Sequence, residues 1–259
     1  ENIDIGGPSM IRAAAKNFMS VVVVVDPSDY KPIANLVSSG GVGEKKRRSL
    51  AAKAFSHVAS YDLKVTRYLQ TDVNSEEDFP EELFTTWKRV KKLRYGENPH
   101  QKGVLYKKLE SNSGLASASQ LHGGEMGYIN YLDADSAWRS VATLPDNSVS
   151  IVKHANPCGL ASHKNQAEAY RRALAGDPVS AYGGIVGFNS TVEAETAEAM
   201  KGVLYHVIVA PRYRPKALAL LKERTNLRIL ELEPAKTISV VYRSISGGLL
   251  AQIPDSLCN

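Results

Sequence analysis

Strand-like apolar runs alternate with helix-like segments over residues 86–259, and this alternation most constrains the fold. Strands are predicted at Thr86–Leu93, Val104–Lys108, Val149–Lys153, Gly184–Phe188, Val207–Ala210, Leu227–Glu231 and Ile238–Arg243. Helices are predicted at Ala134–Leu144, Gln166–Leu174, Val192–Leu204 and Pro215–Arg224. Strands that alternate with helices in this way are typical of an α/β layered domain.

The N-terminal residues predict a smaller unit with its own helices. Helices are predicted after Gly6-Gly7 with Pro8 in the first turn, from the Asp26–Asp29 cap to Leu36, and over Lys46–Tyr68. The run Val21–Val25 predicts a strand buried on both faces, which favours a parallel sheet. The acidic segment within residues 72–85 has no hydrophobic periodicity, so it predicts a linker between the two units.

Composition limits the class of protein. The chain has 259 residues, of which 43% are hydrophobic and 23% charged, and these values are typical of a soluble globular protein. The longest apolar run, Val21–Val25, is too short to span a bilayer, so no membrane partner is expected. The two cysteines, Cys158 and Cys258, do not make a disulfide framework. They predict a reducing compartment, which we take to be the cytoplasm, with a plastid location left open.

The net charge of +5 raises the question of a nucleic-acid partner. The densest basic run, residues 45–48, opens a predicted helix, and such a run is usually a solvated face. No zinc-finger spacing or RNA-binding signature is present in the sequence. A basic cleft for small anions explains the charge equally well, so we expect no nucleic-acid partner. A nucleic-acid binding module remains the alternative, and it would bind generic RNA or DNA in a salt-dependent way.

The segment Ser150–Gly159 contains the clearest candidate site residues. The apolar run Val149–Val152 predicts a buried strand that places Lys153 and His154 at its end, and residues 156–159 then predict a turn. A neutral imidazole can accept a proton, and an ammonium group can stabilise charge that develops on an oxygen. In an open α/β sheet such strand ends face the ligand crevice. Taken alone, the same residues fit a surface Lys-His pair before a turn.

Three other motifs accompany this segment, and the N-terminus adds a further one. Leu93–Gln101 (LRYGENPHQ) and Gly127–Asp133 (GYINYLD) lie upstream, and Asp177–Gly184 (DPVSAYGG) lies downstream. In this order and spacing the motifs closely resemble the family of bifunctional purine-biosynthesis enzymes. Those enzymes join 5-aminoimidazole-4-carboxamide ribonucleotide (AICAR) formyltransferase to inosine monophosphate (IMP) cyclohydrolase. The opening residues 1–17 resemble the end of the family's cyclohydrolase half.

The resemblance implies a domain organisation and a fold. Residues 1–71 would form the C-terminal part of the cyclohydrolase domain, 72–85 a linker, and 86–259 the first lobe of the formyltransferase domain. The implied fold is a partial Rossmann-like, methylglyoxal-synthase-like segment followed by a cytidine-deaminase-like α/β layered lobe. The resemblance also implies a homodimer, because the family builds its formyltransferase site across two chains.

The implied activity is transfer of a formyl group from the co-substrate 10-formyltetrahydrofolate to the exocyclic amine of AICAR. Cyclisation of formyl-AICAR to IMP is the linked reaction. His154 matches the family's base, and Lys153 matches its electrostatic stabiliser. Arg94 and Tyr95 match its nucleotide-binding pair, and Gly183 matches a position of close ligand approach.

Further residues are implied at both sites. Asn130 and Asp133 match a substrate-binding motif, and the sequence also favours Asp133 as the cap of a helix that begins at Ala134. Asp4 and Lys16 match two cyclohydrolase active-site residues, where ring closure requires proton transfer.

One departure from the family pattern concerns nucleotide recognition, because His206 stands where an acidic residue is expected. The alternative function is that of a non-catalytic remnant of such an enzyme, which binds nucleotide or a partner chain.

Cys158 invites comparison with zinc enzymes. A Pro-Cys dipeptide near a His is similar to the signature of zinc deaminases, His-x-Glu followed by Pro-Cys-x-x-Cys. Ala161 occupies the position of the second Cys and Asn156 that of the Glu, so the ligands are incomplete. The sequence therefore predicts no metal in this segment. A nucleophilic Cys–His pair is not supported, since nothing in the sequence identifies a third, orienting group.

Overall fold

The chain divides into two units, residues 1–86 and residues 87–259. The structure is a computed structural model, and it describes residues 2–73, 79–109, 113–145, 147–233 and 240–254. The predicted linker at 72–85 includes residues 74–78, which lie outside the described residues. The domain boundaries implied by the family resemblance stay a prediction.

The first unit is built from helices, as predicted. They are α1 (Gly6–Lys16), α2 (Tyr30–Ser38) and α3 (Glu44–Val73), with a short 3-10 turn at Pro27–Asp29 before α2. The Asp26 carboxylate accepts a hydrogen bond from the Ser28 backbone N–H at 2.9 Å, which caps that turn as predicted. Among the described residues, no helix has the length and apolar character needed to cross a membrane.

The predicted strand at Val21–Val25 is wrong. Within residues 2–73 these residues form no strand and pair with none. Val23 packs with Ala15, Ala51 and Ala54, whereas Val22 and Val24 pack against a second cluster containing Ile33, Val42 and Leu50. The valine side chains do alternate between two sides, but helix side chains rather than neighbouring strands cover both of those sides.

The second unit contains a six-stranded mixed sheet and two hairpins. The hairpins are β1 (Trp87–Leu93) with β2 (Gly103–Lys108), and β9 (Val241–Ile245) with β10 (Gly248–Gln252). The sheet contains β3 (Ser119–His122), β4 (Ser148–Lys153), β5 (Asn156–Ser162), β6 (Gly184–Phe188), β7 (Tyr205–Ala210) and β8 (Arg228–Glu231). Its strand order is β3-β8-β7-β6-β4-β5. Strands β6, β7 and β8 are parallel to one another. Strand β3 is antiparallel to β8, and β4 is antiparallel to both β5 and β6.

Helices cover both faces of this sheet, so the unit is an α/β layered structure, as predicted. One face packs against α4 (Tyr128–Val141), and the other against α5 (Gln166–Gly176), α6 (Ala194–Ala199) and α7 (Pro215–Lys222). Along β7, Val207 and Val209 belong to the α4 side, whereas Ile208 and Ala210 belong to the opposite core. This period of two places one set of strand side chains on each face.

Several element boundaries differ from the prediction. Strands β3, β5 and β10 were not predicted, and α6 is shorter than the predicted Val192–Leu204 helix. Of the predicted strand Ile238–Arg243, residues 238 and 239 lie outside the described residues, and β9 begins at Val241. Helix α4 begins at Tyr128 rather than Ala134, because the amide of Asn130 reaches back to the Gly127 N–H at 2.9 Å and starts the helix there. Asp133 therefore lies inside α4, and its predicted role as a helix cap is wrong.

Candidate active site

A pocket of about 390 Å³ lies beside the turn between β4 and β5. Its walls are formed by Lys153, His154, Asn156, Pro157, Cys158, Asp177 and Ser180. The first five belong to the β4–β5 hairpin, and the last two belong to the loop after α5. The volume is within the range of small-molecule sites. Two motifs that are separate in sequence, residues 150–159 and 177–184, therefore meet at one pocket.

The hairpin places Lys153 and His154 at the rim of the sheet. Strand β4 forms as predicted, and Val149, Ile151 and Val152 are fully buried, which fixes the strand in the core. Lys153 is half-buried and His154 is exposed. The side chains of both residues are thus anchored by a rigid strand and open to the pocket.

The predicted turn at residues 156–159 is wrong. Lys153 pairs with Asn156, so the turn is the two-residue loop His154-Ala155, and Asn156 begins β5. The φ angles of His154 and Ala155 are 54° and 59°, as a tight hairpin of this kind requires. Left-handed backbone costs a non-glycine residue roughly 1–2 kcal/mol. The loop is therefore held in a conformation that neither residue prefers.

The pocket lies at a different edge of the sheet from the one expected. Strand β4 runs antiparallel to β6, with Val152 opposite Ile185. The end of β4 that carries Lys153 and His154 therefore lies beside the amino ends of β6 and β7, not beside the carboxyl ends of parallel strands. The expectation that this strand end lies at the ligand crevice of an open parallel sheet, beside the carboxyl ends of the strands, is therefore wrong.

The loop after α5 forms the second wall and is tied to the first. The Asp177 carboxylate accepts a hydrogen bond from the Ser180 N–H at 2.9 Å, and the Lys153 ammonium donates to the Tyr182 carbonyl at 2.9 Å. Hydrogen bonds from Ser180, together with the charge of Lys153, lower the pKa of Asp177. The pocket therefore contains the Asp177 carboxylate at neutral pH, with Lys153 close enough to act on it.

Gly183 ends this loop with a φ of +77°, and its N–H donates to the Leu204 carbonyl at 2.8 Å. A Cβ at Gly183 would lie 3.7 Å from Cε1 of His206. The neighbouring side chain is thus the histidine that departs from the family pattern, and the close approach of a ligand at Gly183 stays a prediction. Partial burial and the charges of Arg228 and Lys153 lower the pKa of His206, which favours a neutral ring.

Cys158 lines the pocket without the surroundings of a reactive thiolate. Burial and the negative charge of Asp177 raise the pKa of the thiol, so it stays protonated at neutral pH. Within the described ranges, no three His, Cys, Asp or Glu side chains lie close enough together to hold a metal ion.

Arg94 and Tyr95 follow β1 and do not belong to the described lining of the pocket. The Arg94 guanidinium lies over the Tyr95 ring, 5.8 Å from its centroid. Their strand reaches α4 through Lys91, whose ammonium lies 5.3 Å from the centroid of the Tyr131 ring. The pair therefore lies in the same unit as the pocket, on a hairpin that contacts the helix carrying Asp133.

Asn130 and Asp133 both bond to backbone. Asn130 starts α4 through the Gly127 N–H, and Asp133, only 7% exposed, accepts hydrogen bonds from the N–H groups of His154 and Ala155. The structure therefore brings Asp133 to the candidate site, but through the backbone of the hairpin.

Asp4 and Lys16 lie in the first unit and are not brought together. The Asp4 carboxylate accepts from the Gly7 N–H at 3.2 Å before α1, whereas the exposed Lys16 ends that helix. A helix rises about 1.5 Å per residue, so the eleven residues of α1 hold them apart.

Sequence reasoning missed Asp177 and Ser180 as lining residues. The signal was present, because an Asp three residues before a Ser, with a Pro between them, is typical of a turn closed by the carboxylate. Ser136, whose hydroxyl donates to the Ala155 carbonyl at 2.8 Å, had no such signal. Its importance depends on a turn that the sequence did not reveal.

Comparison with known proteins now identifies the family. The family model of the AICARFT/IMPCHase bienzyme matches residues 14–259. The chain belongs to this family. Proteins named bifunctional purine biosynthesis protein PurH, from Mycobacterium marinum (strain ATCC BAA-535 / M) and Mycobacterium ulcerans (strain Agy99), are each 48% identical to it over 261 aligned residues.

These alignments cover 99% of the chain and 50% of each relative, so the chain spans about half the length of the curated relatives it matches. The family predicted from the four motifs is confirmed, and with it a relation to proteins of purine biosynthesis.

Proposed function

We propose that the protein to which this chain belongs transfers a formyl group from 10-formyltetrahydrofolate to AICAR. The observation that carries the proposal is the pairing of Lys153 and His154 at one pocket, in a chain 48% identical to proteins named as bifunctional PurH. The pocket contains a proton acceptor, a fixed cation and room for a small molecule, which are the requirements of this chemistry.

In the proposed reaction His154 is the general base. The exocyclic amine of AICAR attacks the formyl carbon, a new carbon–nitrogen bond forms, and the bond from that carbon to N10 of the folate breaks. The imidazole takes the proton that the amine loses and returns it to the departing folate nitrogen. The exposure of His154 leaves its ring free for this exchange.

Lys153 supplies positive charge to the formyl oxygen as that oxygen becomes negative. One of its three N–H groups donates to the Tyr182 carbonyl, which leaves two donors for the reacting groups. The hydrogen bond also fixes the ammonium group between the two walls of the pocket before substrate arrives, which is how electrostatic stabilisation becomes effective.

The nucleotide is proposed to contact the outer parts of the same unit. Arg94 offers a fork of N–H donors suited to a phosphate or a carboxamide oxygen, and Tyr95 offers a ring face suited to a heterocycle. Asn130 and Gly183 are proposed to contact substrate with backbone or amide groups, and Asp133 acts from behind the hairpin.

The remaining properties of the family are proposals for this protein as well. Asp4 and Lys16 would take part in cyclisation of formyl-AICAR to IMP, and two copies would assemble as a dimer in the cytoplasm or a plastid. Residues 1–71 would belong to a Rossmann-like cyclohydrolase domain, and residues 86–259 to a deaminase-like lobe.

An assay of the full-length protein with 10-formyltetrahydrofolate and AICAR tests the proposal. We expect AICAR-dependent loss of the formyl donor and appearance of IMP, separated by chromatography. Omission of AICAR is the control for spontaneous loss of formyl groups. AICAR binding without any formyl transfer would support the non-catalytic alternative, and salt-dependent binding to generic RNA without AICAR binding would support a nucleic-acid module.

A further inference from the structure

The loop between β4 and β5 has all four of its backbone polar groups bonded by side chains. The His154 N–H donates to Asp133 Oδ2 at 3.2 Å, and the Ala155 N–H donates to Asp133 Oδ1 at 2.7 Å. The Asn156 amide donates to the His154 carbonyl at 2.9 Å, and the Ser136 hydroxyl donates to the Ala155 carbonyl at 2.8 Å. Two of these three partners belong to α4.

Asp133 contributes most to this arrangement. It is 7% exposed, and each of its carboxylate oxygens accepts one of the two loop N–H groups. A buried carboxylate bonded to two successive N–H groups is a strong, charge-assisted clamp. It lies on α4, and the neighbouring Ala134 and Ala137 are fully buried against the sheet, so the clamp is rigid.

The clamp offsets an unfavourable backbone conformation. His154 and Ala155 both have positive φ, which asparagine and glycine adopt readily and other residues adopt only when the surroundings impose it. Strain of this kind persists at functional sites where neighbouring groups fix it. Without the carboxylate, the loop would relax toward negative φ and turn the His154 side chain to a new direction.

We infer that Asp133 is a positioning residue, which fixes the His154-Ala155 loop so that the imidazole and the Lys153 ammonium face the pocket together. It acts through the backbone and not by contact with substrate, since it is only 7% exposed and each of its oxygens already accepts one loop N–H. This role deepens the proposed function and rests on it where turnover is concerned. The effect of Asp133 on the loop itself does not depend on any activity.

The test uses Asp133→Asn and Asp133→Ala in the full-length protein, with Asp135→Asn as the matched control. Asp135 lies on the same helix with its side chain 49% exposed, and it forms an ion pair with Arg139 across one helical turn. We expect kcat for formyl transfer to fall at least tenfold in Asp133→Ala, with the dissociation constant of AICAR within threefold of wild type. The control should stay within twofold for both quantities.

A second change separates positioning from a general loss of structure. Ala155→Gly placed in the Asp133→Ala protein lets residue 155 adopt positive φ without cost, so kcat should recover several-fold. If Asp133→Ala does not fold, Ser136→Ala and Asp133→Asn, which each remove part of the hydrogen bonding to the loop, take its place in the same comparison. An unchanged kcat, or a loss of AICAR affinity with kcat intact, would overturn the proposal.

Hydrogen exchange of the peptide containing residues 152–157 gives a readout that needs no turnover. The N–H groups of His154 and Ala155 should exchange faster in Asp133→Asn than in Asp135→Asn, with the rest of β4 unchanged. Absence of formyl transfer in the wild-type protein would rule out the proposed function. Equal hydrogen exchange in the two variants would rule out the positioning role of Asp133.

Discussion

Gly159 on β5 lies directly against the carbonyl oxygen of Ala173 on α5. A Cβ built at Gly159 would be 1.8 Å from that oxygen and 2.7 Å from the carbonyl carbon. No real side chain can approach backbone so closely, so β5 and α5 can pack at this distance only with glycine. Since β5 forms one wall of the pocket, the contact also fixes the position of that wall against the helix.

Gly159→Ala should therefore destabilise the second unit severely. We expect the free energy of unfolding to fall by about 3 kcal/mol or more, because the added methyl group must push apart a strand and a helix. Gly124→Ala is the matched control, since nothing lies within 4 Å of a Cβ at that position. Urea denaturation of both variants checks the prediction, and equal midpoints would show that the packing is not as described.

Arg94→Ala should weaken AICAR binding by about 1.5–3 kcal/mol, the usual value for a lost hydrogen bond to a charged group. This corresponds to roughly a 10- to 150-fold rise in the dissociation constant, measurable by calorimetry. Arg89→Ala, an exposed arginine on the same strand, is the control and should leave the constant unchanged. If Arg94→Ala binds AICAR as tightly as the control, Arg94 is not part of the site.

His206 gives the protein a pH dependence of stability with a definite sign. Partial burial, then Arg228 and Lys153, lower its pKa below the ordinary value of about 6.5, and Asp133 opposes them weakly. As the pH falls through 6.5, the unfolded chain binds a proton that the folded chain does not, so the free energy of unfolding falls. The loss ends once the pH is below the pKa of the folded state.

His206→Gln removes the group that binds this proton, so the unfolding midpoint should become less sensitive to pH between about 7 and 5. The exposed His57 on α3 supplies the control variant, His57→Gln. Midpoints that shift with pH identically in His206→Gln and in wild type would contradict the lowered pKa.

The sheet strands formed by continuous apolar runs, such as β4 and β6, could be predicted from sequence, and others could not. Strand β5 was missed because Asn156, Pro157 and Gly159 are typical of a turn. It is an edge strand whose register shifts opposite Ile151 and Val152, and Pro157 is tolerated there because a strand edge does not need its missing N–H. At Val21–Val25 the opposite error occurred, and a strand was predicted where none forms. A valine run can be covered by helices as well as by strands.

The candidate site could likewise be predicted from the sequence only in part. Lys153 and His154 could be predicted because they are adjacent in sequence at the end of a buried strand. The role of Asp133 could not, because it depends on two positive φ angles and on a contact across 21 residues of sequence. Local sequence patterns predict which residues belong to the candidate site, whereas the hydrogen-bond partners of those residues depend on how the elements pack.

The most direct test of this account is formyl transfer by His154→Ala in the full-length protein, measured beside AICAR binding. Loss of the proposed general base should lower the rate at least about 100-fold and leave the dissociation constant of AICAR nearly unchanged. His57→Ala, on an exposed helix face of the first unit, should retain wild-type rates. A His154→Ala protein that transfers formyl groups at a near-normal rate would contradict the account, because the hairpin residue on which it rests would not be the base.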